Sequence, residues 1–313
     1  MNPFVFIVGC PRSGTTLLQR MVDAHRQIAI TPETHWIAPY FVRRKGLTPE
    51  GWVTPKLIRK LLAHPKFSRL GIGHLDLKKL LKVGGPVSYG RFVSGIYDLY
   101  GRAQGKHLVG DKTPGYARAI GILHHLWPGA KFVHLIRDGR DVCLSALEWR
   151  RPGKLLSRLA IWGEDRVVAA ALWWEWHVRL GRQAGNTLPR HQYHEIRYES
   201  LVARPAEECA TLCAFLDVPY DEAMLRFHEK RPRSDQADHP WMPILAELRD
   251  WRSQMPAENV ERFEAAAGAL LAELGYPRGS AQVRPKTLEQ VARLRDLFVL
   301  DVAPDGCLPL QRE

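Results

Sequence analysis

The sequence predicts an α/β fold in which a mostly parallel central sheet is flanked by helices, and three observations carry that prediction. Short β-branched and aromatic runs recur at residues 4–8, 131–136 and 194–198. Polar loops follow the first two runs, and apolar residues at helical spacing follow the loops. The first loop also has a glycine at each end, Gly9 and Gly14, as a sharp turn from strand into helix favours. Parallel strands need long crossovers, so this alternation implies a sheet with helices packed over its faces.

In chain order, Phe4-Val5-Phe6-Ile7-Val8 is continuously apolar and reads as a strand buried on both faces. Leu17, Leu18, Met21, Val22 and His25 then predict a helix over 14–25. Ile28-Ala29-Ile30 reads as a second strand ending in the turn-like Thr31-Pro32-Glu33-Thr34. Leu108-Val109 leads in the same way into a polar loop, Gly110-Asp111-Lys112-Thr113-Pro114. Between those strands, residues 40–105 mix basic and apolar side chains with scattered glycines and read as a mainly helical insertion. The run at 131–136 is the next buried strand, and Arg137-Asp138-Gly139-Arg140-Asp141 turns it into a helix holding Val142, Leu144, Ala146 and Leu147. A tryptophan-rich helix follows over 167–184, then a strand over 194–198 and a helix containing Leu212, Phe215 and Leu216. The helical tail near 256–300 holds a helix over 257–274 with Gly275 as its C-cap, and another over 287–298. One domain over 1–313 accommodates these elements. Ligands of such a sheet bind at the carboxyl ends of the strands, where the polar loops converge.

The hydrophobic fraction of 45% and charged fraction of 25% are those of ordinary globular chains. A net charge of +12 favours an anionic partner, whether a phosphorylated cofactor, an acidic substrate, nucleic acid or a membrane surface; a generally basic surface that serves solubility is the plain alternative. No nucleic-acid motif accompanies the charge, so nucleic acid is not the expected partner. Cys10, Cys143, Cys209, Cys213 and Cys307 are odd in number and lack CxxC spacing, which points to neither disulfides nor a zinc site and fits a reducing, cytoplasmic setting. The apolar start lacks a basic leader, and no stretch approaches the roughly 18 apolar residues of a membrane helix.

Gly9-Cys10-Pro11-Arg12-Ser13-Gly14-Thr15-Thr16 has the GxxxxG spacing of a phosphate loop, but Thr15 stands where the nucleoside-triphosphate version requires lysine. Amides around Ser13, Gly14, Thr15 and Thr16 at a helix N-terminus can still bind phosphate, and Arg12 supplies a cation. A transferred phosphoryl group needs lysine and magnesium to neutralise its charge. A sulfuryl group carries less, so arginine and backbone amides can suffice and no metal is expected. The plain alternative is that Arg12 and Ser13 only cap the helix.

The stretch FIVGCPRSGTTLLQRMVDAH, residues 6–25, resembles the 5′-phosphosulfate loop and helix of sulfotransferases that use 3′-phosphoadenosine 5′-phosphosulfate (PAPS), especially the protein tyrosine sulfotransferases and bacterial relatives. The resemblance implies a P-loop NTPase-like sulfotransferase fold, with PAPS as donor and adenosine 3′,5′-bisphosphate as product. It implies that Arg12 contacts the 5′-phosphosulfate, with Ser13, Gly14, Thr15 and Thr16 around it. The family's second motif is an arginine at a strand end and a serine eight residues on, which Arg137 and Ser145 match. Guanidinium offers a charge-assisted fork to the 3′-phosphate and the serine adds a hydroxyl.

On the acceptor side, Thr31-Pro32-Glu33-Thr34-His35-Trp36 resembles the segment holding the general base, which implies that role for Glu33, with His35 as the alternative base. An unperturbed glutamate near about 4.3 is ionised at neutral pH and can accept a proton. Glu33 as a cap or surface carboxylate is the competing reading. The resemblance further implies that Lys112 stabilises charge on the bridging oxygen, that Tyr198 lies near the nucleotide and that Ser234 assists at the transferred group. Trp149 stands where the family has a further arginine, for which Arg150 and Arg151 are substitutes. Trp162, Trp173, Trp174 and Trp176 either line an aromatic acceptor pocket or, as their helical spacing favours, pack in the core. The leading expectation is a sulfotransferase acting on a hydroxyl-bearing acceptor. A P-loop kinase and a non-enzymatic anion-binding module are the alternatives.

Overall fold

The computed structural model describes residues 4–82, 84–149, 156–229 and 249–302. Among these, five strands form one sheet: β1 (Val5–Gly9), β2 (Ile28–Thr31), β3 (Leu108–Lys112), β4 (Lys131–Ile136) and β5 (Tyr193–Arg197). Every pairing is parallel, and the order is β2-β3-β1-β4-β5. From the central β1 the chain moves outward to β2, returns through β3 and then crosses to β4 on the other side. That reversal opens a crevice at the carboxyl end of β1.

The helix α1 (Thr15–Ala24) crosses from β1 to β2, and α2 (Ile37–Val42), α3 (Pro55–Leu62), α4 (His74–Leu81) and α5 (Tyr89–Ala103) lie between β2 and β3. A 3-10 turn at Pro114–Ala119 and α6 (Ile120–Leu126) lead to β4, while α7 (Gly139–Leu147) and α8 (Arg166–Gly185) lead to β5. Beyond it come α9 (Tyr198–Ala203), α10 (Pro205–Leu216), α11 (Trp251–Gln254), α12 (Ala257–Glu273) and α13 (Pro285–Val302).

The two-residue period of a strand explains the two-sided burial of β1. Phe6 and Val8 enter a core with residues of α2 to α6, whereas Val5 and Ile7 face α1, α9 and α10. A third core joins α7, α8, α12 and α13. Trp162, Trp173 and Trp174 are buried there and Trp176 meets Phe298 edge-on, so the tryptophans pack the core, as their spacing favoured. Cys10, Cys143, Cys209 and Cys213 are buried free thiols; Cys307 lies outside the described residues.

Several details differ from the sequence reading. The third strand continues through Gly110-Asp111-Lys112 rather than ending at Val109. Gly110 pairs with Val5, and a Cβ there would sit 2.3 Å from the Val5 carbonyl oxygen, so the glycine serves close strand approach and not a turn. The fifth strand ends at Arg197, and Tyr198 opens a helix. The short α6 is set by burial of Ile120 and Leu123 and has no long apolar period to announce it.

Phe263 is fully buried on α12, with its ring 5.8 Å from that of Trp174. Phe263→Ala should lower the unfolding free energy by about 3–5 kcal/mol, read from urea denaturation. A loss below about 1 kcal/mol would show that α12 contributes little to this core.

Candidate active site

The loop after β1 is shaped by two left-handed residues, Arg12 at φ 76° and Gly14 at φ 91°. An arginine held there costs on the order of 1–3 kcal/mol, a strain typical of functional loops. The Ser13 amide closes the turn by donating to the Cys10 carbonyl at 3.2 Å. Gly14 has no room for a side chain, because a Cβ would lie 2.5 Å from the ring of Tyr198. Thr15 is buried, and Thr16 is exposed at the first turn of α1.

The end of β4 and α7 meet this loop. Ser145 Oγ accepts a hydrogen bond from Arg12 Nε at 3.0 Å, and the Arg12 guanidinium lies 5.4 Å over the ring of Trp149. The residue in place of the family's further arginine therefore steadies Arg12 by a cation–π contact. The Arg137 guanidinium is buried 4.2 Å over the ring of Tyr198, so one tyrosine ring is shared between Arg137 and Gly14. Trp174 Nε1 donates to the Arg137 carbonyl at 3.1 Å, which fixes its backbone. Arg137 Nε and Ser13 Oγ are both buried without a hydrogen-bond partner. Buried polar groups rarely stay unsatisfied, and an anion seated by the loop would satisfy donors of this kind.

The acceptor-side residues gather at the ends of β2 and β3. Glu33 does not cap α2, whose N-cap position is Trp36. Its Oε1 accepts from Lys112 Nζ at 2.6 Å, its Oε2 lies 2.9 Å from His35 Nε2, and Lys66 Nζ is 4.0 Å away. Burial works to raise the Glu33 pKa, but the hydrogen bond from His35 and the Lys112 charge outweigh it and hold the carboxyl well below the usual range. Lys112, nearly buried, also donates to Thr16 Oγ1 at 3.3 Å, so one ammonium bridges the phosphate loop and the carboxylate. His35 sits at φ 58°, the second strained residue of the site.

Arg12, Ser13, Gly14, Thr15, Thr16, Glu33, Lys112, Arg137, Ser145 and Tyr198 are thus brought to one end of the sheet. Ser234, Arg150 and Arg151 lie outside the described residues. Two residues beside the site were given no role in it by the sequence. Lys66 arrives from the connection between α3 and α4, and Trp149 was read only as a missing arginine.

A glycine-cornered loop at a helix N-terminus, with cations gathered over it, is the arrangement of the P-loop-like class of α/β proteins. Comparison with known proteins narrows that class. The model of the Sulfotransferase family matches residues 3–222, and the chain belongs to this family, whose members transfer sulfuryl groups. Protein-tyrosine sulfotransferase 1 of Danio rerio is 26% identical over 94% of this chain and 79% of its own length. Nodulation protein NoeE of Sinorhizobium fredii is 29% identical over 89% of this chain and 67% of its own. Among solved structures, the sulfotransferase domain from the curacin biosynthetic pathway has a TM-score of 0.54 over 95% of this chain and 98% of that one, at 21% identity, a likeness of fold. Among the described residues no helix is long and apolar enough to cross a membrane.

Beneath the site, Asp111 is fully buried and its Oδ2 accepts from Thr31 Oγ1 at 3.1 Å and Tyr97 at 3.2 Å. Burial pushes this carboxyl up to about 6 even though the hydrogen bonds favour its ionised form. An unfolded aspartate titrates near about 3.9, so between roughly pH 4 and 6 the folded chain binds the extra proton and stability falls as pH rises. Asp111→Asn abolishes that titration. The thermal midpoint of the variant minus that of wild type should climb from about pH 4 to 6 and then level. A difference constant with pH would show that the Asp111 carboxyl is not raised.

Proposed function

We propose that the chain, acting as one domain, transfers a sulfuryl group from PAPS to an acceptor hydroxyl and releases adenosine 3′,5′-bisphosphate. The carrying observation is the pair of buried, unpartnered donors Ser13 Oγ and Arg137 Nε beside the phosphate loop. A nucleotide phosphorylated at both ends of its ribose fits this division of cations. Arg12 and the amides of Ser13, Gly14, Thr15 and Thr16 would hold the 5′-phosphosulfate, Arg137 and Ser145 the 3′-phosphate, and Tyr198 would orient Arg137. The donor supplies the activated sulfuryl group.

Glu33 is the base in this reading. Ionised across the working pH range, it accepts the acceptor's hydroxyl proton while His35 holds Oε2 in place. Lys112 on Oε1 weakens that base, yet the same ammonium touches Thr16 of the phosphate loop. As negative charge builds on the bridging oxygen, Lys112 shifts toward it, and the carboxylate gains basicity as the cation withdraws. By resemblance Ser234 assists at the transferred group.

Calorimetric titration tests the reading without a known acceptor. Adenosine 3′,5′-bisphosphate should bind in the absence of magnesium, with affinity falling about tenfold or more in Arg137→Ala. No bisphosphate binding, together with tight magnesium-dependent ATP binding, would instead establish a kinase. Glu33→Gln should retain bisphosphate affinity and lose roughly 10²–10⁴ of turnover with any accepted hydroxyl, measured as bisphosphate release. Undiminished turnover would remove Glu33 from the chemistry.

A further inference from the structure

The charge of the chain is concentrated in one place. Residues 40–105 contain 13 Lys and Arg against 3 Asp and Glu, a net +10, while the rest has 32 against 30. The whole-chain excess of +12 is therefore almost entirely a property of the insertion between β2 and β3.

The same segment exposes apolar side chains. Val42, Trp52, Leu62 and Leu75 are four of the eight large hydrophobic residues exposed among the described residues, and Leu75 is 72% exposed. Each has basic neighbours: Arg43-Arg44-Lys45 follow Val42, Lys56 lies beyond Trp52, Arg59 and Lys60 precede Leu62, and Lys78 and Lys79 follow Leu75. The helices α3 and α4 pack on one another and turn Leu57, Ile58, Leu61 and Leu77 inward. Lys56, Arg59 and Leu62 of α3, and Leu75, Lys78 and Lys79 of α4, stay in solvent. Residues 63–73 join the two helices, so Leu62 and Leu75 sit at the connected end of the pair. That connection carries Lys66, 4.0 Å from Glu33.

We propose that this face docks on an anionic lipid surface and presents the Glu33 end of the site to it; identifying that end as the acceptor opening rests on the function proposed above. Lysine and arginine are drawn to anionic headgroups, and leucine and tryptophan gain by entering the boundary between headgroup and acyl chain. A soluble polyanion would reward the charges and leave Leu75 and Leu62 in water. Interfacial docking uses both. The acceptor class that follows is a hydroxyl carried at the bilayer surface.

The test is sedimentation of the full chain with phosphatidylcholine vesicles, with and without phosphatidylglycerol. Phosphatidylglycerol should raise the bound fraction roughly tenfold, an effect that salt diminishes and that Lys78→Glu with Lys79→Glu abolishes. Leu62→Ser with Leu75→Ser should weaken binding at least about threefold. All four side chains are exposed, and bisphosphate titration of each variant reports whether fold and donor site survive. Equal binding to both vesicles overturns the proposal. So does a phosphatidylglycerol preference indifferent to the leucines and erased by heparin, which would assign the face to a soluble polyanion. Loss of bisphosphate binding by the wild type would sink the sulfotransferase reading and leave the vesicle result standing.

Discussion

Arg140 is wholly buried, and charge inside a protein is tolerable only where its partners are complete. Its Nε and Nη2 donate to the carboxylate of Asp138 at 3.0 and 2.7 Å, Nη1 donates to Glu264 at 2.7 Å, and the guanidinium lies 3.5 Å over Trp251. Asp138 is the N-cap of α7, so the network fixes where that helix begins. Glu264 belongs to α12 and also accepts from the amides of Gly279 and Ser280. A helix more than a hundred residues away in sequence thereby sets the register of the turn that places Arg137 and Ser145. Removing one partner would leave a buried charge unpaired, which costs far more than a surface ion pair contributes.

With α7 fixed, the electrostatics of the crevice follow. Arg137 lies under Tyr198 with a donor unused, Arg12 lies on Trp149, and the loop aims its amides into the same space. Aromatic faces flank both guanidiniums, and Arg137 Nη2 also lies 3.5 Å from Asp141 Oδ2, which leaves Nε as its unpaired donor. Glu33 faces the opposite condition. Surrounded by Lys112, His35 and Lys66, its carboxyl is held in the ionised form, and any ligand that draws Lys112 away alters its basicity.

Much of this was legible in the sequence because function and fold use the same local signals. A β-branched run, a glycine-cornered loop and a helical period announce β1 and α1, and the loop's chemistry is written in the residues that make the turn. The β4 boundaries are read to the residue for the same reason. The third strand was shortened in the reading because Gly110, Asp111 and Lys112 are polar or small where strands are usually apolar. Their tolerance is tertiary: Gly110 admits the β1 backbone, Asp111 finds Thr31 and Tyr97, and Lys112 finds Glu33. The Arg140 network and the approach of Lys66 join residues far apart in the chain, and no periodicity encodes such pairs.

The topology also separates the two halves of the proposed reaction. Donor-side residues come from β1, β4, α7 and the start of α9, elements locked into the sheet and the two cores beside it. The acceptor side is built by the ends of β2 and β3 and by the chain between them, a loop-out that can vary in length and charge without disturbing strand order. An insertion free to change in this way is where selection for a particular acceptor would act, and its composition departs from the rest of the molecule in that direction. The near-neutral remainder needs only enough cation to hold a nucleotide. The excess charge lies on the insertion, of which Lys66 alone is placed beside Glu33, and contact with an anionic surface is the explanation proposed for it.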